Sequence, residues 1–142
     1  MIQSSFISIF LPIIIWKFIS FQCFIFFISQ ASVAIILSEF VNYIEHYGLE
    51  RKFIEEKKKF ENVNYQHSWD APYRFSCYLS SNILLHADHH MNCLKEYEKL
   101  TAIEGSPIMP YTYITMILLS LYPKLFFSIV NPHLDEYKKK FE

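Results

Sequence analysis

An all-α integral-membrane fold is what this sequence predicts: one full transmembrane helix after a truncated one, then cytoplasm-facing helices that carry a histidine cluster. Three observations predict it. Lys17 is the only charged residue before Glu39, whereas every other Lys and Arg and all 14 acidic residues lie from Glu39 onward. Between Phe18 and Ser38 runs a stretch of 21 residues with no charge, rich in Phe and Ile. Five of the 6 histidines fall between His46 and His90. The net charge of −1 therefore hides an apolar front and a polar back.

The first apolar run, Phe6 to Trp16, contains Pro12 and would rise only about 16 Å as a helix, near half the hydrocarbon thickness of a bilayer. It reads as a cut-off helix. With Lys17 as a tight polar break, the two runs suggest a hairpin whose first arm begins upstream of Met1. No basic region precedes the run and no small-residue cleavage site follows it, so it does not read as a signal peptide. Phe18 to Ser38 matches the roughly 20 residues that cross a bilayer as a helix.

Beyond the membrane segment, Glu50 to Glu61 interleaves Arg51, Lys52, Lys57, Lys58 and Lys59 with acids. It reads as a solvated helical stretch on the cytoplasmic side under the positive-inside rule. Ser80 to Leu100 reads as another helix. Tyr111 to Val130 is apolar but carries Pro123 and Lys124, which favours an interfacial or protein-buried segment over a clean span. The tail from Asn131 to Glu142 is polar. The membrane part is thus 6–46 and the histidine-bearing cytoplasmic part 47–142.

Composition removes several function classes. Only 2 glycines argue against a Gly-rich phosphate loop. Cys23, Cys77 and Cys93 are isolated, so neither a zinc knuckle nor a rubredoxin-like iron site is encoded. The HExxH signature of zinc hydrolases is missing, and near-neutral charge with a membrane anchor leaves no case for nucleic-acid binding.

The residues that can do chemistry are histidines. His86, His89 and His90 form H-x-x-H-H, and steps of three and four on a helix return to one face, so the imidazoles sit within about 100° of arc. They can point at one metal centre, although histidine clusters also occur on solvated helices. Asn82, one turn earlier, could orient a ligand, and Asp88 could accept a hydrogen bond from a histidine on a neighbouring element. On the membrane helix, Ser29, Ser32, Glu39, Asn42 and His46 fall within roughly 140° and form a polar stripe toward the cytoplasmic end.

The words around these positions are specific. SEFVNYIEHYGLER, Ser38 to Arg51, is followed by HSW at His67 to Trp69, by LLHADHHMN at Leu84 to Asn92, and by the segment from Pro110 to Pro132. In order and spacing they resemble the NYxEHYG signature, the third histidine box and the closing segment of the alkane 1-monooxygenase family, within the fatty acid desaturase-like membrane di-iron group. The resemblance spans about Ile19 to Tyr137.

It implies a partial domain, 1–142, of an integral-membrane oxygenase with two non-haem irons held mainly by histidine. Electrons would come from rubredoxin and its reductase, and one oxygen atom of O₂ would enter the terminal carbon of an alkane or fatty-acyl-like substrate. His46, His86, His89 and His90 match iron-ligating positions, with no catalytic side chain implied beyond them; His67 takes an orienting or structural role. Neutral imidazole suits iron, and an apolar channel suits an alkane. Glu45 is an unmatched carboxylate beside His46. Either a bacterial inner membrane or a eukaryotic endoplasmic reticulum membrane fits.

Leu85, Ala87 and Asp70-Ala71 replace the family's Arg, Ser and Asn-Ser. Earlier boxes of the forms HExxHK and EHxxGHH have no counterpart in these 142 residues. The alternatives are a fatty acid desaturase or lipid hydroxylase, which shares H-x-x-H-H, and a non-catalytic membrane remnant.

Overall fold

The computed structural model describes residues 2–140 and divides the chain into two compact units, Met1–Glu39 and Phe40–Glu142. In the first, α1 (Ile2–Phe18) and α2 (Phe21–His46) are separated by a break at Ile19 and Ser20. Ser20 makes the break: its Oγ accepts from Cys23 N at 3.1 Å, satisfying one of the donors a helix start leaves free. The two helices do not pack side by side, so the expected hairpin is not formed, and the rings of Trp16 and Phe24, 6.0 Å apart, touch across the junction instead. Phe26, Val33, Ile35 and Ile36 on α2 are exposed. Among the described residues α2 alone is long and apolar enough to cross a membrane, and lipid accounts for such a surface.

The second unit begins inside the last turns of α2, which places His46 in the same compact body as the other histidines. Its core is built on Ile44, Trp69, Met109, Met116, Phe126 and Val130, all fully buried. Two helices, α5 (Tyr113–Ser120) and α6 (Pro123–Lys138), pack against each other, with Pro123 in the first turn of α6, where its missing N–H costs nothing. The apolar run from Tyr111 to Val130 is thus two helices rather than one, and α6 continues through most of the polar tail.

Two sequence expectations are corrected here. Glu50 to Glu61 is a hairpin rather than a helix, its helical part limited to the single 3-10 turn Glu55–Lys57. Phe53–Ile54 (β1) pairs antiparallel with Lys59–Phe60 (β2), and Lys58 turns the chain at φ 48°. Arg51 sits 5.6 Å over the Phe60 ring and the Phe53 and Phe60 rings meet edge to face at 5.2 Å, so cross-strand aromatic pairing outweighs charge periodicity. Nor is Ser80 to Leu100 one helix: it holds α4 (His86–Met91) and a 3-10 turn at Tyr97–Lys99, with α3 (Arg74–Leu79) before it. Ser81 and Asn82 adopt φ of 52° and 58°, and Ser80 Oγ bonds back to Ser76 O at 2.9 Å, the local bonding by which Ser and Asn end helices.

A short extended strut, residues 68–71, follows the 3-10 turn Tyr65–His67 and ties these pieces together. Trp69 N donates to Glu45 O at 2.8 Å and its indole N–H to Tyr47 O at 2.8 Å, fixing the strut to the end of α2. The Tyr113 hydroxyl donates to Trp69 O at 2.9 Å from α5. Asp70 N donates to Pro107 O and its carbonyl accepts from Met109 N, both at 2.8 Å, while Ala71 N reaches Leu84 O at 2.9 Å just ahead of α4.

Candidate metal centre

Three histidines converge at the junction of α2, the strut and α4. The ligand atoms offered by His46, His86 and His90 all lie within 4.8 Å of one another. His86 and His90, one turn apart on α4, bring their Nε2 atoms to 2.8 Å. The His46 ring centroid is 5.2 Å from each of theirs. Donors about a common ion at about 2.1 Å stand at most about 4.2 Å apart, so small side-chain rotations close the trio on one centre.

Each ring is held or tuned. His46 Nδ1 donates to the His67 carbonyl at 2.8 Å, which leaves Nε2 with the lone pair. Glu45, buried beside His46, points its Oε2 at His86 Nε2 from 3.3 Å. Burial, then the neighbouring His90, His46 and His89, hold His86 down to about pKa 3, and desolvation with His46 and His89 lowers His90 too. Both are neutral at pH 7, the form in which imidazole binds metal. The Ile83 main chain lies beside the His86 ring, but the buried Nδ1 makes no hydrogen bond within ordinary limits. Three imidazole nitrogens and a carboxylate oxygen stand together here, and that donor set fits iron.

The other residues singled out from sequence are placed differently. His89 stands aside from the trio, its ring 5.9 Å from His86 and 6.0 Å from His90. Both ring nitrogens of His67 are engaged: Asn64 N donates to Nδ1 at 3.0 Å, and Nε2 faces Glu61 Oε1 at 3.1 Å. Asp88 bonds no histidine. Its buried carboxylate accepts from Asn92, Lys95 and Thr101 at 2.8, 2.6 and 2.8 Å, and pins the loop after α4. Asn82 lies outside the helix and donates to Tyr97 O at 3.1 Å. Glu39 and Asn42 are exposed, and the buried acid of α2 is Glu45.

Two groups carry roles that the residue pattern does not give. Asp70 is fully buried, and its carboxylate accepts from Ala87 N at 2.9 Å and Ser106 Oγ at 2.7 Å. It serves as the N-cap that α4 lacks, since Leu85 at the helix start has no capping side chain. The His67 carbonyl, a main-chain group, has no signature in a residue pattern.

The fatty acid desaturase family matches residues 1–120 of the chain. Alkane 1-monooxygenase 1 of Pseudomonas aeruginosa and alkane 1-monooxygenase 2 of Alcanivorax borkumensis are each 36% identical to it over 113 residues, covering 80% of this chain and 29% of theirs. The alkane 1-monooxygenase of Acinetobacter baylyi is 29% identical over 113 residues and is covered to 28% of its length. The chain spans less than a third of the length of these relatives.

Proposed function

Because the chain belongs to the fatty acid desaturase family, a membrane-associated group of non-haem di-iron enzymes, we propose that it supplies part of the iron-binding shell of an alkane 1-monooxygenase-type oxidoreductase. The observation that carries the proposal is the convergence of His46, His86 and His90 within 4.8 Å. These three would hold one iron, with Glu45 beside it, and His89 is proposed to reach the second. When bound, the irons supply the oxidative chemistry that activates O₂ toward an unactivated C–H bond. The chain's own residues orient His46 through the His67 carbonyl, and burial with the neighbouring imidazoles keeps His86 and His90 neutral.

The substrate class we propose is a terminal alkane carbon or a related lipid-like hydrocarbon, with rubredoxin and its reductase as the electron source. The identities to alkane 1-monooxygenases support this reading. A cytoplasmic side of the membrane is proposed for the centre, and the Lys- and Arg-bearing hairpin that follows α2 supports it. Fatty acid desaturation is the second reading, favoured by the family match over residues 1–120. The test is anaerobic loading with ⁵⁷Fe²⁺ in membranes: high-spin non-haem iron signals in Mössbauer spectra are expected, lost in His46→Ala, His86→Ala and His90→Ala. Iron content unaffected by these substitutions would overturn the assignment.

A further inference from the structure

The base of the β1–β2 hairpin is wired to His46 through His67. Glu61 follows β2 and is locked by two bonds across the strand ends: its N donates to Lys52 O at 2.9 Å, and its Oε1 accepts from Lys52 N at 2.8 Å. The same Oε1 stands 3.1 Å from His67 Nε2. On the other side of the ring, Asn64 N donates to Nδ1 at 3.0 Å, and the Asn64 side chain accepts from Gln66 N at 2.8 Å. A backbone N–H can donate only to a lone pair, so Nδ1 is unprotonated and the ring proton sits on Nε2, directed at Glu61.

A buried ring held from both sides fixes the residue that carries it, and the carbonyl of that residue is the acceptor for His46 Nδ1. A carbonyl can only accept, so it selects the His46 tautomer with the proton on Nδ1 and the lone pair on Nε2. Nothing else described near His46 does this. Trp69 N bonding to Glu45 O at 2.8 Å then sets the distance between the strut and the α2 turn that bears His46.

We propose that His67 is a positioning residue for His46, acting through its main-chain carbonyl, with the hairpin base at Glu61 and Lys52 as its brace. This rests on the reading of His46 as a metal ligand, but its first consequence, one fixed His46 tautomer, holds without metal. The Lys- and Arg-rich hairpin is therefore part of the metal centre's support as well as a solvated surface.

The experiment uses the full 142-residue chain, ¹⁵N-labelled at histidine, in detergent micelles. Its readouts are the His46 tautomer by NMR without metal, and Co²⁺ affinity against a competing chelator. In His67→Ala we expect mixed His46 tautomers and at least about a tenfold loss of Co²⁺ affinity, the usual cost of removing a group that orients a metal ligand. Glu61→Ala should lose about 3- to 10-fold, the worth of one hydrogen bond, and Glu61→Gln, which keeps an acceptor, should restore both readouts. If His67→Ala does not fold, Glu61→Ala against Glu61→Gln carries the test. A single Nδ1-protonated His46 and unchanged Co²⁺ affinity in the folded alanine variants would overturn the proposal. Tautomer loss in a chain whose parent binds no Co²⁺ would uphold the positioning role and end the metal reading instead.

Discussion

Gly48 lies directly beneath Leu134 of α6: a Cβ added there would overlap Leu134 Cδ2, and the glycine itself holds φ +71°. The glycine that follows His46 and Tyr47 thus does two things no other residue can. It turns the chain out of α2 in the left-handed region, and it lets α6 close over the helix end that carries the metal ligand. Gly48→Ala should destabilise the chain by about 2–4 kcal/mol, combining left-handed strain with overpacking. Chemical denaturation in micelles measures it. In a cycle with Leu134→Ala, whose own cavity costs about 2–5 kcal/mol, adding Gly48→Ala should cost only its strain share; an unaffected midpoint in the Gly48 single variant would contradict the close approach.

Asp70 separates hydrogen-bond geometry from charge. Asp70→Ala strands the Ala87 N–H at the start of α4 and one bond of Ser106, and should cost about 2–4 kcal/mol. Asp70→Asn should cost under about 1 kcal/mol, because the amide oxygen can still take the Ala87 N–H while its NH₂ donates to Ser106 Oγ. Ser106 then keeps its own bond to Ile103 O at 2.9 Å. Burial already pushes the Asp70 carboxyl up, against its hydrogen bonds, so neutralising it removes little. Equal loss in both variants would show that the charge, rather than the acceptor, is needed.

Legibility divides along the range of the interactions. The membrane helix could be read from its uncharged run because lipid imposes a composition on every residue facing it, and α2 simply extends past Ser38 to His46. His46 and the histidines of α4 could be read from NYIEHYG and HxxHH, where fixed spacing on a helix puts side chains on one face. Their partners could not. Glu61, Lys52 and His67 meet through a two-residue-strand hairpin whose charges have helical periodicity, and what overrides it is Phe53 pairing with Phe60, a contact set by the turn at Lys58. Asp88 has a histidine on either flank, yet its partners Lys95 and Thr101 come from a loop beyond the helix. Glu39 and Glu45 are both legible as acids near His46, but which of them is interior is not: Glu45 is buried where Trp69 N bonds its carbonyl, and Glu39 is exposed.

Tyr137 gives a pH dependence away from the metal centre. Its hydroxyl donates to Gly105 O at 3.1 Å, and burial, with Tyr65 nearby, pushes its pKa up to about 12. A tyrosine in the unfolded chain ionises near pH 10. The folded state therefore holds the proton more tightly, and the contribution of Tyr137 is fully present below about pH 10 and lost as pH rises from there toward 12. Unfolding midpoints measured from pH 8 upward should fall across that window, and Tyr137→Phe should flatten the fall. The same slope in the variant would place the alkaline transition elsewhere.

The 142-residue chain expressed alone in membranes should form no 1-alkanol from octane, even with rubredoxin, its reductase and iron supplied. The donor set is the reason. His46, His86 and His90 converge on one centre with Glu45 beside them, His89 stands outside the trio, and both nitrogens of His67 are engaged. Two irons want about four or more protein ligands each, and one centre takes nearly all that these residues offer. A second iron would rest on His89 and water, and an incomplete shell loses metal readily. Iron should therefore bind at no more than one per chain. Co-expression with a segment of a relative that bears HExxHK and EHxxGHH should raise it to two and yield the terminal alcohol, and His89→Ala should abolish the second iron and the product together while the first iron stays. Gas chromatography decides it: 1-octanol from the chain alone, above a His46→Ala control, would mean that these residues complete an oxidising centre without further ligands.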